Sequence, residues 1–483
     1  MAELLFGQSY YLRFDPKLWA AQQPYPPLGT LYAAAYLRAR GYGVALFDAM
    51  LAESEQAWAD ALDRHQPRIA ILFEDNFNYL SKMCLLRMRQ AALTMIALAK
   101  ARGCLVIVAG ADMTDHADLY LAGGADYVLL GEGEATLGEL LDALTGRAPK
   151  PLDQILGLAW TAGRTPRRPD LKDLDALPFP AWDLVDVDAY RRVWRERHGY
   201  FSMNVVTTRG CPYHCNWCAK PIWGQRYNAR SPENVAAEVR WLRERYAPDH
   251  FWFMDDIFGL KPGWIERYAS LVRAAGPVTP FKCLQRADLV TEATAAALAA
   301  AGCRTVWMGA ESGSQKILDA MDKGQSVAEL HAAAARLRAQ GVQVGFFLQF
   351  GYPGETWDDI GATRRLVRAC LPDDIGISVS YPLPGTKFHE RVRAELGAKQ
   401  NWQDSDDLAM LYAGPFPADF YRALHQLVHA EYRLTKWWRR REWRRLPWAL
   451  LEAGRWLQAR WRLAGYRPAQ AEARPRPTAS AHD

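Results

Sequence analysis

Hydrophobic positions in the first 150 residues fall into short continuous runs separated by stretches of helical spacing. Leu28–Arg40 and Glu53–Arg64 read as amphipathic helices, and Tyr79–Arg102 as a longer one. Between them lie GYGVALFDA (41–49), RIAILF (68–73), CLVIVAG (104–110) and ADYVLLGEG (125–133). These are the apolar runs of a parallel sheet covered by helices on both faces. Such a sheet collects its ligand beyond the C-terminal strand ends. Those ends carry Asp48, the EDNFNY loop (74–79), the Ala109–Thr114 loop and Gly131–Glu134.

Residues 146–200 hold few periodic segments and are punctuated by proline, as in ALPFPAWDL (176–184), which predicts a linker. A second series then begins, with apolar strands at 204–208, 250–256, 281–286, 303–312, 342–351 and 375–381. Ala-rich helices between them predict a complete or partial β/α barrel whose site lies at the C-terminal strand ends. The predicted fold is α/β: 1–147 Rossmann-like, 148–199 linker, 200–400 a partial (β/α)6 barrel, 401–467 helical, and 468–483 a frayed tail.

Composition changes the picture in two ways. Eight cysteines in 483 residues are too sparse for a disulfide framework. No apolar run reaches the roughly 18–20 residues of a membrane span, and no basic-then-apolar leader opens the chain. A cytoplasmic protein is expected. The charge is uneven: residues 431–483 carry 13 Lys+Arg against 5 Asp+Glu, while the rest of the chain is near neutral. Trp437, Trp438, Trp443, Trp448, Trp456 and Trp461 share that segment. It suits either a helix pair packed on the preceding domain or a peripheral contact with anionic lipid.

Directly after the first barrel strand stands RGCPYHCNWC, with Cys211, Cys215 and Cys218 spaced C-x3-C-x2-C. Structural zinc favours four ligands in two separated pairs, and this trio has no such fourth ligand. His214 inside the loop would be strained as one. Three thiolates on a cubane iron–sulfur cluster leave one iron open, as catalysis requires. Cys84, Cys104, Cys283, Cys303 and Cys370 lie in apolar segments and are read as buried thiols. His425 and His429, at i and i+4, are read as packing or substrate contacts.

The trio, with Trp217 before its last cysteine, resembles the radical S-adenosylmethionine (SAM) family. MDDIF (254–258), CLQRADL (283–289), GAESGSQKILDAMDKG (309–324), FGYPGET (350–356) and PLPGT (382–386) follow in that family's order. The resemblance implies a [4Fe-4S] cluster on Cys211, Cys215 and Cys218 that chelates SAM. It implies SAM contacts at Trp217, Asp255, Arg286, Glu311, Ser312 and Gln349. For Asp255 a strand-end cap is the competing reading, and Tyr381 is a candidate substrate contact at the barrel mouth.

PYPPLGTLYAAAYLRARGYGVALFDA (24–49), GEGEATLGEL (131–140) and ALPFPAWDLVD (176–186) resemble the opening, ending and linker of the cobalamin (B12)-binding domain before many such barrels. Gly29, Gly110, Thr114, Gly131 and Glu132 are the implied cobalamin contacts. The D-x-H-x-x-G motif that supplies an axial histidine is absent, and His116 is read as solvent-facing. A fold that has lost its corrin and only supports the barrel is the competing reading for this domain. The expected activity is reductive cleavage of SAM to a 5′-deoxyadenosyl radical, with methyl transfer from methylcobalamin to an unactivated carbon. The alternative is an oxidoreductase or cyclase using both cofactors without methyl transfer. A methylthiotransferase would need further N-terminal cysteines, and a non-catalytic cobalamin-binding regulator would not need the intact trio. A bulky small-molecule or lipid-like substrate and a flavodoxin- or ferredoxin-type electron donor are expected, with no nucleic acid. The Trp-rich 401–465 region is expected to cap the barrel mouth.

Overall fold

The computed structural model describes residues 3–83, 85–218, 223 and 226–466. Cys84 and the tail from 467 lie outside the described residues. Two parallel sheets form the frame. The N-terminal sheet holds β1 (Leu4–Gly7), β2 (Val44–Leu46), β3 (Ile69–Phe73), β4 (Leu105–Ala109), β5 (Tyr127–Leu129), β6 (Leu158–Trp160) and β7 (Gly163–Arg164). Its order is β2-β1-β3-β4-β5-β6-β7, with β1 to β5 parallel and β6 and β7 antiparallel. The chain changes direction across the sheet between β1 and β3, so the binding crevice of a doubly wound fold opens at their C-terminal ends.

A small ribbon of β9 (Thr208–Arg209) and β10 (Asn228–Ala229) follows β8 (Ser202–Val205). β8 starts the second sheet, continued by β11 (His250–Phe253), β12 (Phe281–Gln285), β13 (Cys303–Glu311), β14 (Gln343–Phe350) and β15 (Asp374–Val379). All six are parallel in the order β15-β14-β13-β12-β11-β8, an open partial barrel. Local chemistry sets the helices between them. Ser231 caps Pro232–Tyr246 by accepting from the Asn234 amide, and Ser326 and Thr356 form capping boxes with Glu329 and Asp359.

Several expectations change. β1 is added ahead of the first predicted helix. The 148–199 segment contributes β6, β7 and a helix, Val187–His198; strands of two and three residues are too short to display a period. The predicted Tyr79–Arg102 helix is two helices, Tyr79–Met83 and Leu86–Lys100. The region expected to cap the barrel divides. Its first part, 401–412, crosses the mouth: Trp402 meets Tyr381 edge-on at 4.6 Å, and its carbonyl accepts from the Leu86 amide at 2.7 Å. The helices Ala418–Arg439 and Leu446–Ala464 instead lie along the outer flank, where Tyr432 and Lys436 bond the Asp373 carbonyl ahead of β15. The six C-terminal tryptophans lie on that pair and its turn.

The two domains share one hydrophobic core, which runs from Tyr25, Leu28 and Met88 to Phe251, Val306 and Phe346. Polar contacts cross the same seam. The Tyr25 hydroxyl lies 3.0 Å from Ser202 Oγ, Asn204 donates to the Pro26 carbonyl at 2.8 Å, and Trp194 donates to the Pro24 carbonyl at 2.7 Å. The PYPPLG opening is therefore the segment that docks the N-terminal domain onto β8.

Candidate active site between the two domains

The cysteine loop leaves β9 through Gly210, which has a left-handed φ of 80° and whose absent Cβ would meet the Arg226 carbonyl at 2.2 Å. Cys211 is buried, Cys215 and Cys218 are partly buried, none is in a disulfide, and His214 is exposed. Asn216 anchors the loop. Its amide donates to the Met321 carbonyl and its side chain to the Ala320 carbonyl and Asp322, while it accepts from the Tyr352 hydroxyl. Asp255 fixes the loop from below, accepting from both backbone and side chain of Thr207 and Thr208 at 2.6–3.1 Å. Burial pushes its carboxyl up to about 6 against those four bonds. Asp255 is thus engaged as the strand-end cap, the competing reading for this residue.

Positive charge gathers beside Cys215. The Arg286 guanidinium approaches Cys215 Sγ at 3.8 Å, donates to the carbonyls of Lys323 and Gly324, and stacks on Tyr213 at 3.7 Å. Lys323 donates to Glu311 Oε1 at 2.9 Å, both side chains buried, with its ammonium 5.9 Å from the Trp217 ring. Burial works against the Lys323 charge, but Glu311 and then Cys215 outweigh it and raise its pKa. Two devices aim Glu311. The β13–β14 register slips between Gly309 and Glu311, and Glu311 has a left-handed φ of 57°. A non-glycine residue there costs about 1–3 kcal/mol, the kind of strain that accompanies function. A Cβ at Gly309 would lie 2.4 Å from Glu311 Oε1 and 2.7 Å from Lys323 Nζ, so that glycine makes room for the pair.

Ser312 turns away from the cleft: its hydroxyl lies 3.1 Å from Thr363 Oγ1 and accepts from the Ser314 amide, deep under the strand end. Gln349 is buried at the end of β14 and donates to Ser380 at 3.1 Å. The sequence reading missed Lys323 and Asn216, although both stand inside the motifs it quoted.

The N-terminal loops meet this site from the other side. Arg209, two residues before Cys211, is 5% exposed and paired with Glu132 at 3.2 Å and Glu134 at 2.5 Å. Burial alone would weaken its charge; Glu134 and Glu132 reverse that and raise its pKa. Glu132 also accepts from the Leu171 amide at 2.6 Å. It thus serves as an inter-domain clamp at the loop expected to meet the corrin. Lys82 reaches Asp256 at 2.9 Å, and Phe77 stacks on Trp223 at 5.1 Å. Gly29 is buried, with its amide donating to Asp75 at 3.0 Å, and a Cβ there would meet the Glu74–Asn76 backbone. The close approach that Gly29 permits is therefore between helix and loop. A Cβ at Gly110 would press on the Glu74 side chain, and the Gly131 amide donates to Thr114 at 3.2 Å.

Loops of the two domains face each other here. Tyr79 is 52% exposed, yet its phenol pKa is raised first by burial and then by Cys218, Glu311, Tyr381 and Asp256. Asp115 likewise presents surface while its carboxyl is pushed up to about 7, first by burial and then by Asp112. His116, expected to face solvent, is 33% exposed; burial lowers its pKa against the pull of Asp112, and His389 of the barrel adds to the lowering. A small recess in the N-terminal domain is lined by Ser9, Glu74, Ser81, Met88, Asp112 and Met113, with the Ser81 hydroxyl buried and unpartnered in the protein. Burial pushes Glu74 up to about 7, although it accepts from the Ser9 amide.

These residues fit the groups the resemblance implies. Three cysteines on one anchored loop, with Arg286 and Lys323 beside Cys215, have the donor chemistry and nearby positive charge for an anionic cluster, although among the described residues no three Cys, His, Asp or Glu side chains converge on one metal position. The loops after β3, β4 and β5 carry polar groups, the unpartnered Ser81 hydroxyl among them, of the kind that a ligand with amide side chains would engage.

Comparison with known proteins agrees with this division. The B12 binding domain family matches residues 19–141, and the Radical SAM superfamily matches 205–367, together more than half of the chain. An uncharacterized methyltransferase of Pyrococcus horikoshii is 30% identical over 285 residues, 58% of this chain and 60% of that protein. The anaerobic magnesium-protoporphyrin IX monomethyl ester cyclase of Synechocystis is 23% identical, over 66% of this chain and 63% of its own. The chain thus spans less than two thirds of these relatives' length. The radical SAM methyltransferase TsrM from Kitasatospora setae, solved with cobalamin and a [4Fe-4S] cluster, superposes with a TM-score of 0.65 at 20% identity. That match covers 81% of this chain and 78% of TsrM, and at such identity it speaks for the fold alone.

Proposed function

The chain belongs to the radical SAM proteins that carry an N-terminal B12-binding domain, and on that premise we propose that it is a cobalamin-dependent radical SAM methyltransferase acting on a bulky small molecule. Bound in this site, the cluster would supply the electron that splits SAM and the corrin would carry the methyl group. The single observation that carries the reading is the seam at the cysteine loop, where Glu132 and Glu134 of the N-terminal domain clamp Arg209 two residues before Cys211.

Each residue then has a task. Cys211, Cys215 and Cys218 hold the cluster, and Arg286 offsets negative charge at Cys215. Glu311, aimed by its bulge and held by Lys323, binds the polar part of SAM with Gln349 and Trp217 along the same cleft. Thr114, Gly131 and the loop after Gly110 receive the corrin. Tyr79, Tyr381 and Trp402 offer aromatic faces to the substrate, and the 401–412 crossing shields the mouth from solvent and dioxygen. Reducing equivalents come from a flavodoxin- or ferredoxin-type donor.

The second reading, ring closure or oxidation without methyl transfer, is favoured by the cyclase relative. Anaerobic turnover with methyl-labelled SAM separates the two. Product carrying the label and heavier by one CH2 unit supports methyl transfer. Unlabelled product that has lost hydrogen refutes it and supports the second reading. Among the described residues, no helix is long and apolar enough to cross a membrane.

A further inference from the structure

The C-terminal helix pair carries an apolar face that the fold does not use. Of the 11 large hydrophobic side chains exposed among the described residues, seven lie between Trp438 and Trp461. Leu446, Leu450, Leu457 and Trp461 recur at i, i+4, i+11 and i+15 along the helix Leu446–Ala464, which aligns them in one stripe about 60° wide. The opposite face of that helix is the one that packs inward, through Ala449, Glu452, Ala459 and Leu463. A surface helix normally has one apolar stripe; this one has two. At the turn, Trp438 and Trp443 extend the outer stripe, their rings 5.3 Å apart and edge-to-face.

The stripe runs the length of the barrel flank. It starts beside Arg440, which pairs with Asp373 ahead of β15, and ends near Tyr466, whose ring meets Phe420 on the mouth side at 5.6 Å. Its charge is one-sided: from Trp438 to Arg462 the sequence holds eight arginines and two glutamates. Glu452 is buried beneath Arg433 and Arg455, so it adds little negative charge outside. Residues 467–483 contain no Leu, Ile, Val, Met, Phe or Trp.

We propose that this face docks on an anionic lipid surface, with Leu446, Leu450, Leu457 and Trp461 at the acyl boundary and Arg439, Arg441, Arg444 and Arg460 among the headgroups. Charge complementarity selects this occupant. A second copy of the same arginine-flanked stripe would set like charges against each other, whereas phosphate headgroups answer both features at once. The docking is peripheral and does not depend on the reaction proposed above.

The test is co-sedimentation of the full chain with vesicles of phosphatidylglycerol mixed into phosphatidylcholine, and with phosphatidylcholine alone, at low and high salt. Expected is binding that needs phosphatidylglycerol, weakens at high salt and falls by about tenfold or more in the Leu450→Glu/Trp461→Glu variant. Arg439→Gln/Arg441→Gln/Arg444→Gln should weaken binding to the anionic vesicles alone. The substituted side chains are exposed, and circular dichroism with thermal melting verifies that the variants fold. Absence of sedimentation with either vesicle overturns the proposal. So does equal binding by the folded Leu450→Glu/Trp461→Glu variant. A dimer in sedimentation velocity that this variant dissociates, without vesicle binding, overturns it in favour of self-association.

Discussion

Replacing Arg209 by Gln tests whether the two domains are held in register at the cysteine loop. The side chain is 5% exposed, and its partners Glu132 and Glu134 are 11% and 7% exposed, so water cannot replace the guanidinium. Breaking a buried pair while its partner charges remain costs about 3–5 kcal/mol, and here two carboxylates are stranded. The sign with pH follows from Glu132, whose pKa burial already raises and Arg209 lowers more than any other neighbour. Without Arg209 its folded pKa moves further above the unfolded value. The variant's stability is then fully present below that unfolded value and is lost as pH rises through the folded one. Denaturant unfolding of the apo chain should therefore find a deficit of about 3–5 kcal/mol near neutrality that narrows toward pH 5. Adding Glu132→Gln and Glu134→Gln should recover most of it. Positioning has its own readout. In that recovered triple variant, hydroxocobalamin affinity and the spin-resonance spectrum of the reduced cluster should still change, because the loops are no longer fixed to each other. A deficit below about 1 kcal/mol that ignores pH would refute the clamp, since exposed pairs behave that way.

Three further outcomes are expected. Cys215→Ala should abolish the iron–sulfur absorbance of anaerobically reconstituted protein, whereas Cys370→Ala, a buried thiol beside His331, should leave it intact. Lys323→Met should weaken SAM binding by about 10–100-fold by equilibrium dialysis, because it strands a buried Glu311 already held at φ 57°. Glu355, whose pKa burial pushes up to about 8, should add stability that is full below about pH 4.5 and lost as pH rises toward 8. In Glu355→Gln, that part of the slope between pH 5 and 8 should vanish from urea midpoints.

What the sequence could reveal depended on how far each feature reaches along the chain. Five of the six barrel strands stand where their apolar runs predicted; the first, expected over 204–208, is Ser202–Val205, and Thr208 passes into the β9 ribbon. The cysteine trio fits within eight residues, so its spacing is a local signal. β6 and β7 are three and two residues long and are held by pairing with β5, a fact that only the folded sheet contains. The same limit governs the site. Asp255 looked like a ligand because it ends a strand facing the cleft, and only the folded loop brings Thr207 and Thr208 around its carboxylate. Glu132 looked like a corrin contact because it sits in a glycine-rich loop; its partner Arg209 is 77 residues away and has no sequence spacing to betray it. Gly29 carried the family motif, but its tight neighbour is the backbone at Glu74–Asn76. The loops expected to embrace cofactors are thus partly spent on embracing each other. That is the arrangement required if a corrin carried by one domain is to face a cluster held by the other. It predicts that substitutions in the clamp, outside any cofactor-ligating set, will disturb both cofactors together.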